Sequence, residues 1–390
     1  MALHDWLATR RVALAGSLAA GAALAILPRT ARAKEQDLTD PDTYAAVAMQ
    51  LTAHSVESLA DEQAVRAQVK QHIAQLEAPI RSAAIFIEQY AGHKVRLAVL
   101  PEYLFTSYPA RIGIAEFAAR AGFASDGAEY EALGALAQKT GLFIAGNAYE
   151  TDEHFPGFYF QASFVVAPSG EVVLRYRRLI SMFAPSPHDV WERYLDIYGL
   201  DGVFPVARTT IGNLAAIASE EILYPEVARA LAFRGAEVFV HSSSEIGSPL
   251  ATQKDVAKRA RAFENMAYVV SANTAGISGT ALPLASADGN SQVVDYTGKL
   301  LSQSGDGETF TAFAALDLGA LRKARRTPAM TNSLTRQKPG LFAAAYAEAA
   351  ADFHQPDGMM VDGEPQVPER DYFRRTQEQV IARLDKAGII

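Results

Sequence analysis

Short hydrophobic runs alternate along the chain with longer amphipathic segments. Residues 44–50, 95–100 and 268–272 are almost continuously apolar over five to seven positions, which is typical of strands buried on both faces. Residues 55–90 instead carry apolar side chains at helical spacing, from Leu59 and Val65 to Ile87. This alternation predicts an α/β protein with mixed sheets packed in layers.

The same patterns predict the remaining elements. Turn residues between apolar runs indicate two hairpins. The predicted hairpins are residues 160–168 with 171–176 across Ser169-Gly170, and 292–296 with 309–316 around Thr297-Gly298. The other predicted strands are residues 142–146, 214–218 and 238–241, and the other predicted helices are residues 130–139, 225–234, 256–265, 341–353 and 372–386.

The first 33 residues have the pattern of a cleaved export signal. Arg10 and Arg11 directly precede an uncharged apolar run over residues 12–27, and Ala31-x-Ala33 is a small-x-small cleavage pattern. The paired arginines resemble a twin-arginine signal, and the 16-residue run is shorter than the about 20 residues that a spanning helix needs. We therefore predict a periplasmic protein with no stable membrane insertion after cleavage, and a linker over residues 34–43.

Composition excludes several kinds of chemistry. The 390 residues include no cysteine, which rules out disulfides, zinc–thiolate sites, iron–sulfur clusters and a thiol nucleophile. The eight histidines show no metal-ligand spacing such as H-E-x-x-H, so no metal or cofactor is predicted. The net charge of -8 argues against nucleic acid as a partner.

A series of short motifs follows the predicted strands. The series is Val-Leu-Pro-Glu102, Tyr-Arg-Arg178, Glu192-Arg193, Ser219-Glu-Glu within residues 218–226, and the stretches 234–237, 261–265, 289–291, 297–298, 317–318 and 336–339. In this order it resembles the nitrilase, or carbon–nitrogen hydrolase, superfamily over residues 44–342. The resemblance implies a four-layer α-β-β-α sandwich, a homodimer or higher homo-oligomer, and a small-molecule ligand with an amide, amine or carboxylate. Residues 343–390 would form a C-terminal helical extension.

The resemblance also implies four site positions. In the superfamily a glutamate acts as general base, a lysine stabilises the oxyanion, a cysteine attacks the amide or nitrile carbon, and a second glutamate orients these groups. The corresponding positions here are Glu102, Arg178, Ser219 and Glu192, respectively. The lysine and the cysteine are thus replaced. If the resemblance holds, the four residues converge at one end of the sheets, with Glu102 and Arg178 within direct hydrogen-bonding distance.

These replacements leave two functional interpretations open. A serine hydroxyl is far harder to deprotonate than a thiol, and serine hydrolases use a histidine base oriented by an acid. No G-x-S-x-G motif surrounds Ser219, although the fold could bring His188 or His241 near it. We therefore favour a non-catalytic or altered homologue that binds a small amide, amine or carboxylate. The alternative is an active amidase that uses Ser219 or an activated water. A two-lobed solute-binding protein is disfavoured, because the ordered motifs predict one compact sandwich.

The export signal gives a first testable prediction. Replacing Arg10 and Arg11 together by Lys should trap the precursor in the cytoplasm, because a twin-arginine signal depends on that pair. The measurement is the periplasmic fraction of the protein by immunoblotting, with Arg29→Lys as a matched control that keeps the pair. Recovery of the double variant at the unmodified level would contradict the twin-arginine interpretation.

Overall fold

The computed structural model describes residues 43–246, 250–369 and 371–390, so the predicted signal lies outside the described residues. Within these ranges the helices are α1 (Glu62–Gln75), α2 (Glu77–Ala91), α3 (Ile114–Ala121), α4 (Ala128–Thr140), α5 (Trp191–Val203), α6 (Pro225–Phe233), α7 (Gln253–Asn265), α8 (Leu318–Arg326), α9 (Gly340–Ala349) and α10 (Tyr372–Lys386). Over the same ranges, no helix is both long and apolar enough to cross a membrane.

Most strands belong to two large sheets. The strands are β1 (Tyr44–Gln50), β2 (Ala53–His54), β3 (Val95–Val99), β4 (Phe123–Ala124), β5 (Phe143–Thr151), β6 (Phe160–Val166), β7 (Val172–Arg177), β8 (Ala207–Thr209), β9 (Gly212–Ala218), β10 (Val238–Ser242), β11 (Tyr268–Ala272), β12 (Ile277–Ser278), β13 (Gln292–Val294), β14 (Leu300–Gln303), β15 (Thr309–Leu316), β16 (Met360–Val361) and β17 (Glu364–Pro365). The first sheet has the order β15-β1-β3-β5-β6-β7, with β4 paired to β5, and the second has the order β14-β13-β11-β10-β9-β8. The central strands of each sheet are parallel, and antiparallel strands complete the edges.

The two sheets pack face to face, with helices on their outer sides. Alternate residues of a strand point to opposite faces. Ala46 and Ala48 of β1 accordingly pack in the hydrophobic cluster that includes Leu214 of β9, whereas Val47 packs in the cluster that includes Val69 of α1. The predicted four-layer α-β-β-α sandwich is therefore confirmed.

The packing of the sheets brings strand ends together. Ser242, the last residue of β10, donates a hydrogen bond from Oγ to the carbonyl oxygen that follows β3, that of Leu100, over 2.7 Å. Both residues lie at the carboxyl ends of parallel strands, where binding sites in α/β folds are usually found. The motif residues that follow β3, β9 and β10 therefore meet in one place.

The chain divides into two compact units. One contains residues 40–337 and 356–370, and the described part of the other contains residues 338–355 and 371–390. In the latter unit, Arg383 of α10 donates to the carbonyl oxygens of Asp352 (3.1 Å) and Phe353 (2.8 Å) after α9. In the former, Met359 N–H donates to the carbonyl oxygen of Asp189 over 3.0 Å. Part of the predicted C-terminal extension thus belongs to the sandwich unit.

Two predicted elements require correction. The predicted helix over residues 55–90 is two helices, because the chain ends α1 and begins α2 at Leu76. The turn Thr297-Gly298 connects β13 to β14, whereas β15 joins the first sheet beside β1. The second predicted hairpin therefore had the wrong partner, since residues 309–316 do not pair with β13.

Helix α7 begins earlier than the hydrophobic pattern indicated. Its first residue is Gln253 and not residue 256, because Thr252 and Asp255 form a reciprocal capping box. Asp255 N–H donates to Thr252 Oγ1 over 3.1 Å, and Thr252 N–H donates to Asp255 Oδ2 over 2.9 Å. The earlier start places Lys254 on the first turn of the helix, with consequences for the site.

Helix α4 packs closely against the turn of the β6–β7 hairpin at Gly134. A Cβ added at Gly134 of α4 would meet the carbonyl oxygen of Gly170, in the hairpin turn, at 2.6 Å. Alanine normally stabilises a helix by about 1 kcal/mol over glycine, but overpacking against backbone costs about 1–3 kcal/mol. We therefore expect Gly134→Ala to lower the free energy of unfolding by up to about 2 kcal/mol.

The measurement is urea denaturation followed by circular dichroism. Gly305→Ala is the matched control, because a Cβ there meets nothing within 4 Å and the backbone is not left-handed, and the change should not destabilise the protein and should stay within about 1 kcal/mol. A stabilised Gly134→Ala variant would show that the hairpin turn moves away from α4 at no cost.

Candidate active site

Three of the four predicted site residues directly follow strands and are buried. Glu102 lies just beyond β3, Arg178 immediately follows β7, and Ser219 immediately follows β9. Glu102 N–H donates to the carbonyl oxygen of Ser243, which follows β10, over 3.2 Å. The fold therefore delivers these residues to the junction of the two sheets.

Ser219 occupies a strained turn between a strand and a short helix. β9 ends at Ala218, a 3₁₀ helix begins at Ser219, and the φ angle of Ser219 is +46°. Non-glycine residues seldom adopt this left-handed region. A serine held in such a strand-to-helix turn is the geometry by which hydrolases expose a nucleophile.

His241 contacts the backbone of this turn and not the Ser219 hydroxyl. Its Nε2 lies 2.8 Å from the Ser219 carbonyl oxygen, and its Nδ1 lies 2.8 Å from Ser271 Oγ. Burial lowers the pKa of His241 well below its ordinary value, so the ring is neutral. The other candidate, His188, lies in the 3₁₀ helix Pro187–Val190, with its ring 6.3 Å from that of Trp191.

Lys254, which is not one of the four predicted site residues, places its side-chain nitrogen beside Ser219. Lys254 Nζ lies 3.2 Å from Ser219 Oγ and 3.3 Å from Ser243 Oγ. Burial lowers the pKa of Lys254 below its ordinary value, although the Glu102 and Glu245 carboxylates oppose this shift. The Lys254 residue is partly exposed, whereas Ser219 is buried.

Glu102 is fully buried and both of its oxygens accept hydrogen bonds. Gln161 of β6 donates from Nε2 to Oε1 over 2.5 Å, and Ser244 donates from Oγ to Oε2 over 2.6 Å. Arg178 Nη1 lies 3.8 Å from Glu102 Oε1. Both oxygens of Glu102 are therefore engaged by other side chains of the site.

Arg178 is bound on three sides. Its Nη1 donates to Gln161 Oε1 over 2.7 Å, its Nε donates to the carbonyl oxygen of Ile180 over 2.7 Å, and its Nη2 contacts the Glu220 carboxylate. Burial alone would lower the pKa of Arg178, but the Glu220 and Glu102 carboxylates outweigh it and raise the pKa. The expected direct hydrogen bond between Glu102 and Arg178 is absent, because the Gln161 amide lies between them.

Glu192 lies apart from this cluster. It belongs to the first turn of α5, its side chain is exposed, and its backbone N–H donates to Asp357 Oδ1 over 3.1 Å. The extended loop between Arg178 and α5 carries it away from the strand ends. The structure thus brings together Glu102, Arg178 and Ser219, but not Glu192.

A different buried glutamate links the strand ends. Glu221 accepts a hydrogen bond from Tyr176 Oη (2.7 Å) and from the backbone N–H groups of Leu179 (2.7 Å) and Ile180 (3.0 Å). Burial raises the pKa of Glu221 to about 7, although Arg178 and these donors act in the opposite direction. Glu221 therefore fastens the segment after β7 to the turn that carries Ser219.

Two site residues, Lys254 and Gln161, were not predicted from the sequence, and a local sequence signal exists for only the first. Thr252-x-x-Asp255 is a capping-box signal, and reading it would have placed Lys254 on a helix next to the motif strands. Gln161 lies in the middle of a predicted strand, where nothing in the local sequence distinguishes it. In the described ranges, no group of three or more His, Asp or Glu side chains could hold a metal ion.

Curated relatives match parts of the chain. A protein of Pseudomonas protegens described as a hydrolase in the pqqF 5′ region is 31% identical over 180 residues, covering 46% of this chain and 59% of that protein. A probable nitrilase of Schizosaccharomyces pombe is 26% identical over 53% of this chain and 69% of its own length. A formamidase of Bacillus thuringiensis is 28% identical over 37% of this chain, and only 40% of that enzyme is covered.

Solved structures match more of the chain and share its fold. A Saccharomyces cerevisiae nitrilase-superfamily protein matches 74% of this chain and 95% of its own, with 18% identity and a TM-score of 0.55. An amidase from Nesterenkonia sp. matches 77% and 96%, with 20% identity and a TM-score of 0.52. The carbon–nitrogen hydrolase family model matches residues 63–326, which is more than half of the sequence. The chain therefore belongs to the carbon–nitrogen hydrolase family.

Proposed function

We propose that the protein hydrolyses the carbon–nitrogen bond of small amides with Ser219 as the nucleophile. The observation that carries this proposal is the position of the Ser219 hydroxyl. It projects from a left-handed strand-to-helix turn, and the nitrogen of Lys254 lies 3.2 Å away. In this family position a cysteine would attack the substrate, and a serine needs a stronger base beside it to do the same.

The sequence favoured a non-catalytic homologue because no base for Ser219 was apparent. Lys254 meets that objection, since serine–lysine pairs are an established variant of serine hydrolase chemistry. The site is also well organised, because each oxygen of Glu102 accepts a hydrogen bond and Arg178 contacts Glu220. A site released from function would be expected to leave such buried charges poorly satisfied.

Relatives support the choice of an amide as substrate. They are described as a hydrolase, a probable nitrilase and a formamidase, and a structural neighbour is an amidase. Glu220, the residue after Ser219, has a side chain that is one-third exposed (33%), so the site lies close to the protein surface. A twin-arginine signal, if present as the sequence predicts, would place this activity in the periplasm.

Hydrolysis by the mature protein tests the proposal. We expect release of ammonia from at least one member of a panel of formamide, acetamide, propionamide, butyramide and benzamide. Ser219→Ala should lower kcat/KM by at least about 10³-fold, because removing a nucleophile removes the covalent route. Ser169→Ala, on the exposed hairpin turn, is the matched control and should retain full activity.

Two results would contradict the proposal. If no amide is hydrolysed but amides or carboxylates raise the melting temperature of the protein, the site is a binding site and the non-catalytic interpretation stands. If hydrolysis persists in Ser219→Ala, an activated water and not the serine performs the attack.

A further inference from the structure

We propose that Lys254 is the general base for Ser219, and that it replaces Glu102 in this role. The inference rests on the proposed function, since it assigns the proton acceptor for the same nucleophile. It follows from three independent features of the junction: the contacts of the Lys254 nitrogen, the charges around it, and the hydrogen bonds that already engage Glu102.

Lys254 is held so that its nitrogen faces two serine hydroxyls. Nζ lies 3.2 Å from Ser219 Oγ and 3.3 Å from Ser243 Oγ. Ser243 is itself fixed by its backbone, which donates to the carbonyl oxygen of Ala272 (2.8 Å) and accepts from Glu102 N–H (3.2 Å). A proton can therefore pass from Ser219 to Lys254 without movement of the main chain.

The net effect of the surroundings of Lys254 is to lower the pKa of its ammonium group, which makes the group easier to deprotonate. Lys254 is the second residue of α7, where the positive end of the helix dipole disfavours a cation. Burial lowers its pKa as well. The charged groups that face it are Lys258 on α7, which lowers the pKa further, and Glu102, Glu220 and Glu245, which raise it. His241 of β10 is neutral and adds no charge.

Glu102 is poorly placed to accept the same proton. Its Oε1 accepts from Gln161 (2.5 Å) and its Oε2 accepts from Ser244 (2.6 Å). Arg178 Nη1 also approaches Oε1, at 3.8 Å, so the contacts of both Glu102 oxygens are with side chains other than Ser219. Among the described residues, the side-chain hydrogen bonds of the Lys254 nitrogen are those to the Ser219 and Ser243 hydroxyl oxygens.

The chemistry balances without a further reactant besides water. Neutral Lys254 takes the hydroxyl proton as Ser219 Oγ bonds to the amide carbon, and the carbonyl π electrons move to its oxygen. As the carbonyl re-forms, the C–N bond breaks and the Lys254 ammonium gives its proton to the leaving nitrogen. This leaves an acyl ester on Ser219. Lys254 then takes a proton from water, the resulting hydroxide attacks the ester, and the ammonium returns a proton to Ser219 Oγ as the carboxylic acid leaves.

Labelling of Ser219 by phenylmethanesulfonyl fluoride tests this assignment without an amide substrate. The rate of mass gain of the intact mature protein is measured from acid to alkaline pH, and the labelled peptide is identified after digestion. Because the base must be deprotonated, the rate should rise with pH to a plateau and be lost on the acid side. Lys254→Met and Lys254→Arg should each slow labelling by about 10²–10⁴-fold and remove the plateau.

The two variants distinguish a lysine that accepts a proton from a lysine that only supplies a positive charge. Arginine keeps the positive charge but cannot accept a proton at these pH values, and it also guards against a loss that merely reflects misfolding of Lys254→Met. Lys139→Met, on the exposed end of α4, is the control and should label at the unmodified rate. Circular dichroism confirms that each variant is folded.

Several results would overturn the assignment. Labelling of Lys254→Arg within about tenfold of the unmodified rate would show that charge alone suffices. Absence of labelling at Ser219 in the unmodified protein, or its loss in Glu102→Gln with retention in Lys254→Met, would also reject Lys254 as the base. Serine-dependent amide hydrolysis that survives in Lys254→Arg would refute this inference but keep the proposed function. Labelling that depends on Lys254, in a protein that hydrolyses no amide, would keep this inference but refute the proposed function.

Discussion

A carboxylate that is completely removed from water needs hydrogen-bond donors and a counter-charge, and Glu102 imposes that requirement on the whole site. Gln161 and Ser244 supply the donors, and Arg178 supplies the charge at 3.8 Å. Arg178 in turn contacts Glu220, the residue after Ser219. The first sheet and the serine turn of the second sheet are therefore joined through one series of charged contacts.

The charged contacts from Glu102 through Arg178 to Glu220 affect which site residue can act as the general base. An arginine beside Glu102 binds its neighbours through fixed, directional contacts and cannot give up its proton. Both oxygens of Glu102 already accept hydrogen bonds, and the proton acceptor proposed for the nucleophile is therefore a different residue, Lys254. Lys254 approaches Ser219 from α7, with its nitrogen 3.2 Å from the hydroxyl. The proposed mechanism thus pairs the serine that stands at the cysteine position with a lysine from a different element.

The apolar runs predicted mixed sheets packed in layers, and the resemblance to the nitrilase superfamily implied the four-layer sandwich. Residues 44–50, 268–272, 309–316 and 372–386 have the predicted bounds. The motifs also located Glu102, Arg178 and Ser219 at strand ends. What local patterns could not supply was the distance between elements. Glu192 follows a motif but is carried outward on α5, and Gln161 lies within a strand yet connects Glu102 to Arg178.

Lys254 illustrates a different kind of error. Hydrophobic periodicity started the helix at residue 256, three positions late, because the first turn of α7 is polar. The capping box formed by Thr252 and Asp255 marks the true beginning. Polar residues at a helix start are invisible to a hydrophobic pattern, although they are the ones that can face a site. Element ends therefore need capping signals as well as periodicity.

The central claim is that Ser219 becomes covalently acylated during turnover. Its most direct test is rapid acid quenching of the mature protein during hydrolysis of a p-nitrophenyl ester, followed by peptide mass spectrometry. The account predicts one acyl group on the peptide that contains Ser219, attached at that serine, and none in Ser219→Ala. Steady turnover with no acyl group on Ser219, or with the acyl group on Lys254, would contradict it.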